Sequence, residues 1–151
     1  MSDRHLLTGG SLLLSLLLTG CTGTLDVDEY PTEKGTKVDC EALIADVPRR
    51  VAGQDAVDVP GRIAAAWGDP AIILRCGVEK PDALTRSSQC FDVNHVGWLA
   101  ENTSDGYLFT TIGRSFNVSV EVPKDHDPAA DALADLATTV KKHDPETKPC
   151  V

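Results

Sequence analysis

The sequence predicts an α+β domain, a small and mainly antiparallel sheet with helices packed on one face and two disulfides. Three observations carry this. Residues 91–123 hold three apolar runs separated by turn signals. In the last run Phe116, Val118, Val120 and Val122 alternate with Asn117, Ser119 and Glu121, the signature of a sheet with one covered and one wet face. Two stretches, after Asp39 and after Asp127, repeat apolar residues at helical spacing. The 151 residues allow one compact domain, and 42% apolar content supports a packed core rather than a disordered chain.

The chain opens with Arg4 as its only basic residue before residues 6–18, which contain eight leucines and no charge. Thirteen residues cannot cross a hydrocarbon core that needs about 20. That length suits the apolar region of a signal peptide. The stretch ends Leu18-Thr19-Gly20-Cys21, which resembles the bacterial lipobox. The resemblance implies cleavage before Cys21 and diacylglyceryl attachment to its sulfur. Two acyl chains hold a protein on a membrane where one does not. The expected organisation is a signal peptide over residues 1–20, a lipidated N-terminus and flexible tether over 21–38, and one globular domain over 39–151.

The net charge is −9, and it stays so without residues 1–20 because Asp3 and Arg4 cancel. With no basic run to neutralise phosphates, the chain is a poor nucleic-acid binder. The same charge disfavours anionic lipid head groups. Membrane attachment is therefore expected through the lipid.

Five cysteines are an odd number for an exported chain. Lipidation of Cys21 leaves Cys40, Cys76, Cys90 and Cys150, which pair outside the cytoplasm in one of three ways. Cys40–Cys76 with Cys90–Cys150 is favoured, the first joining a predicted helix to a predicted strand. No Cys-x-x-Cys pair is present, and the intervals match no zinc finger or ribbon. No metal and no cofactor are expected.

Residues 22–38 are polar, with little periodicity, and read as a linker in which Asp26, Asp28 and Glu29 are solvated. Asp39 is a good helix cap, and Cys40, Leu43, Ile44 and Val47 share one face until Pro48. Residues 49–62 are irregular, with a possible strand at 56–59. Gly68-Asp69-Pro70 breaks the chain before residues 71–77, a strand buried on both faces. The meander comprises strands at 91–100, 107–112 and 116–122, with Ser104-Asp105-Gly106 as a hairpin signal. Asp127 and Pro128 start a helix whose stripe is Ala129, Leu133, Leu136, Ala137 and Val140. Lys141, Lys142 and His143 complement its negative end.

Several separated motifs now fall in one order. They are Asp39-Cys40-Glu41-Ala42-Leu43, Ala65-Ala66-Trp67-Gly68-Asp69-Pro70 and Leu74-Arg75-Cys76-Gly77, then Val93-Asn94, Gly97-Trp98, residues 109–114 and residues 120–123. Together they resemble an actinobacterial family of small exported or membrane-tethered proteins, known as domain of unknown function 3515. The resemblance covers residues 39–140. It implies an extracytoplasmic location, supports the Cys40–Cys76 pairing and implies no activity. Cys90 and Cys150 look like an addition to the family pattern.

Catalytic motifs such as Gly-x-Ser-x-Gly or His-Glu-x-x-His are absent from the sequence, and the catalytic residues stay unknown. His126 and His143 read as structural, and His95 as a strand residue. Arg75, a guanidinium within an apolar strand, needs a partner such as Asp69 or Glu121. Arg114 ends a strand at a turn, where it joins a network or flanks a ligand. Trp67 and Trp98 fit the core or an exposed platform. The candidate binding surface groups Trp67, Asp69, Arg75, Trp98 and Arg114. The expectation is a non-enzymatic binding or assembly module at the outer face of the membrane, contacting an envelope protein or wall component. The alternative is a small hydrolase or transferase acting on a wall component, with Asp69 or His95 as base and Arg114 as anion clamp.

Overall fold

A computed structural model describes residues 23–61 and 63–149. The predicted signal peptide, Cys21 and Cys150 lie outside the described residues. Within them, eight strands form one antiparallel sheet in the order β1-β2-β3-β4-β8-β7-β6-β5. The strands are β1 (Arg50–Val51), β2 (Gln54–Val57), β3 (Ala64–Trp67), β4 (Ile72–Cys76), β5 (Phe91–Val93), β6 (Val96–Asn102), β7 (Gly106–Ile112) and β8 (Val118–Pro123). Helix α1 (Lys37–Ala45) precedes them; a 3-10 turn (Lys124–His126) and helix α2 (Ala130–His143) follow. The class is α+β as predicted, but the sheet is larger than the expected meander plus one strand.

The additional strands come from short hairpins. Ala52 and Gly53 have φ of 47° and 75°, as does the turn at Asn94 and His95 with 52° and 66°. Two successive positive φ values are what a tight two-residue hairpin turn requires. Ala52 is held there as its amide donates to Asp135 Oδ2 at 2.9 Å. Aspartate Asp92 does the same for the His95 amide, at 3.1 Å. The run expected as one strand over 91–100 is therefore the β5–β6 hairpin, and His95 lies in its turn. The run Ala64-Ala65-Ala66-Trp67 is a strand despite three helix-forming alanines, because all four residues are buried between neighbours.

Register sorts the faces. Ala65, Leu74, Val120 and Phe109 pair in one row, and Trp67, Ile72 and Val122 point the same way. This face carries the core with Leu43 of α1 and Leu133, Leu136, Ala137 and Val140 of α2. The Cys40–Cys76 disulfide fixes α1 to β4. It is one disulfide among the described residues where two were expected. The other pairing involves Cys150, outside those residues, while Cys90 is not a free thiol. Both helices begin away from their expected caps. Asp39 lies in the first turn of α1, and α2 starts after Ala129 without a side-chain cap.

The opposite face is partly covered by the segment expected as a tether. The Leu25 amide donates to Asp58 O at 2.8 Å and the Glu33 amide to Gly77 O at 2.8 Å. Between them Val27 is buried, and Tyr30 Oη lies 2.7 Å from Ile63 O and 3.1 Å from Cys76 O. Single anchors and backbone bonds hold this strap, so it carries no periodic signal for sequence reading to find.

Candidate functional site: an apolar groove and a polar brace

Strand β5 begins at Phe91, and its pairing with β6 reaches no further than Trp98. Residues 99–102 of β6 continue with β7 on one side and no strand of the described residues on the other. The gap opens a groove of about 1000 Å³ between β6, β7 and the start of α2. Tyr107 and Phe109 of β7 line it, their ring centroids 6.1 Å apart, and Leu133 of α2 adds to its lining. Phe91 stands at its side, 51% exposed, the one large apolar side chain to protrude among the described residues. Among the described residues, Glu101 and Asp127 are its only charged lining residues. A concave apolar surface with a few polar groups is the common form of a ligand site. This one suits an apolar body, and its charge suits a cationic group.

A second, smaller pocket of about 180 Å³ brings His95 beside Arg114, with Asp92, Glu146 and Lys148. The guanidinium there is already engaged. Its Nη1 donates to Asp144 O at 2.7 Å and its Nη2 to His95 O at 2.8 Å. Arg114 thus braces the β5–β6 turn to the end of α2. Behind it the Asp144 side chain is wholly buried, its Oδ1 accepting from the amides of Ser115 at 2.9 Å and Phe116 at 3.2 Å. Burial pushes its pKa up to about 6, against the pull of those amides and of Arg114. In the same last turn of α2, Lys142 and His143 hold the Asp46 carboxyl below its ordinary range, at 2.8 and 3.0 Å.

The residues singled out in sequence do not form one surface. Trp67 and Trp98 are both buried on the helix-covered face, so there is no exposed tryptophan platform. Trp67 Nε1 donates to Pro48 O at 2.9 Å. Arg75 points to the opposite face and pairs with Glu121 at 2.9 Å, one of its two anticipated partners. Asp69 is exposed in the β3–β4 turn. His126 Nε2 lies 2.6 Å from Pro70 O. Only His95 and Arg114 come together. Phe91, Tyr107, Phe109 and Leu133 were missed as a site because each reads as core in its own element. Only the early end of β5 uncovers them.

Among the described residues no helix is long and apolar enough to cross a membrane, and no cluster of three or more His, Cys, Asp or Glu stands ready for a metal. A family model described as a protein of unknown function (DUF3515) matches residues 14–149. No curated protein and no solved structure matches the chain.

Proposed function

The chain belongs to the DUF3515 family, and from that premise we propose that it is an exported lipoprotein, anchored through Cys21 at the outer face of the membrane. Its domain acts as a non-enzymatic binding module, with a second disulfide between Cys90 and Cys150. The observation that carries the binding role is the apolar groove beside Phe91, too large to be a packing defect and lined by both strands and helix. The anchor rests on the leucine-rich start and the lipobox-like residues before Cys21.

Nile red, a neutral dye, tests the groove. Saturable binding with blue-shifted emission is expected, at least tenfold weaker in Ala100→Trp, which fills the space. No saturable binding would remove the role. Mass spectrometry of membrane-extracted protein tests the anchor, and an unmodified Cys21 thiol would reject it.

A hydrolase or transferase is the second reading, favoured by the pocket that His95 shares with Arg114. Against it, both Nη atoms of the supposed anion clamp already bind carbonyl oxygens. Turnover of a wall precursor that is lost in His95→Ala would place this reading first.

A further inference from the structure

We infer that the groove takes an extended, basic segment of another polypeptide, which adds to the sheet as a strand along residues 99–102 of β6. This rests on the binding-module reading and names its partner. The first argument is the backbone. In an antiparallel ladder alternate residues turn both N–H and C=O to the same side. Two of the four residues 99–102 therefore direct their peptide groups away from β7, toward the side where β5 has ended. Among the described residues no strand pairs with those peptide groups, and an open sheet edge is a template for another strand.

The second argument is side-chain geometry. A strand laid along this edge spans about 13 Å at some 3.3 Å per residue, and its side chains alternate between the faces. Every second one enters the groove against Tyr107, Phe109 and Leu133. This is strand addition, in which main-chain bonds give affinity and alternate pockets give specificity.

The third argument is charge. Glu101 and Asp127 flank the space and no lysine or arginine of the described residues lines it, so the incoming strand carries basic residues. A second copy of the chain is a poor occupant. Edge-to-edge pairing would set Glu101 of each copy into one four-residue ladder, and each copy carries a charge of −9.

The test uses the purified protein and end-capped octapeptides of alternating valine and lysine. Saturating peptide should slow hydrogen exchange at least tenfold at the outward amides of residues 99–102, read by NMR. Methylating the valine nitrogens should weaken binding at least tenfold, and so should replacing lysine by glutamate. Glu101→Lys, a surface change checked for folding by circular dichroism, should reverse that preference. Equal binding of the methylated peptide, protection elsewhere, or self-association through β6 would each overturn the inference. Nile red binding without peptide binding would also overturn it while leaving the module reading standing. Loss of both would sink the two together.

Discussion

The β3–β4–β8 side of the sheet and the β5–β6–β7 side are built to different standards of closure. On the first, α1 is cross-linked to β4 on one face, and the strap over residues 24–33 lies against the other. On the second, α2 covers only part of the face, β5 stops early, and Phe91 protrudes. Both sides bury a tryptophan at 0% exposure, so the open side is not simply short of core. Closure is withheld on the side that carries the groove.

The largest test of this contrast sets Trp67→Ala against Phe91→Ala. Trp67 is fully buried in the closed side, so its truncation should cost about 3–5 kcal/mol in urea unfolding. Phe91 should cost no more than about 0.5 kcal/mol, yet weaken Nile red binding severalfold. Comparable losses of stability would erase the distinction. Replacing both Cys40 and Cys76 by serine releases a cross-link across 36 residues. The expected loss is about 3–4 kcal/mol in the chain-entropy account, with Nile red binding to the remaining folded fraction retained.

Asp144 sharpens the comparison through pH. Its native pKa of about 6 lies above the ordinary 3.8, so the folded chain keeps this proton to higher pH than the unfolded one. Its stabilising contribution is full below pH 4 and is lost as pH rises through 6. Asp144→Asn keeps an oxygen for the Ser115 and Phe116 amides and removes that dependence. The variant should gain on the parent between pH 4 and 7, by no more than about 3 kcal/mol. Taking the difference between the two unfolding profiles cancels the His143–Asp46 pair, which both share. A flat difference would show that folding does not raise the carboxyl's pKa. A small effect is also expected for Glu121→Gln. The pair with Arg75 is 18% and 42% exposed, so its loss should cost under about 1 kcal/mol.

Where one element reports its own burial, sequence was enough. The Ser104-Asp105-Gly106 hairpin and the stripe of α2 appear where their residues predicted them, and β8 keeps its apolar alternation but starts at Val118, with Ser119 buried too. The β1–β2 and β5–β6 hairpins did not declare themselves. Their strands are two to seven residues long, and their turns place Ala52 and His95 in a backbone region that side chains seldom adopt. The two tryptophans were legible as large apolar groups but not as buried ones, since burial depends on which neighbours cover them. Arg75 was legible because a charge in an apolar strand demands a partner, and Glu121 answers it across the β4–β8 pairing. The groove was illegible in principle. It exists because one strand ends before its neighbour does, and no single segment records that.

The strap has a mechanical consequence. Thr24 bridges to Asp58, so only residues 22 and 23 separate position 21 from a fixed point on the domain. At no more than about 3.6 Å per residue, the backbone at position 21 can lie no more than roughly 11 Å from Thr24. A free coil of the length expected for the tether would let the domain swing like a kite on its string. A lipid at that cysteine, as proposed, would instead hold the domain like a boat at a short mooring, with the same flank turned to the quay.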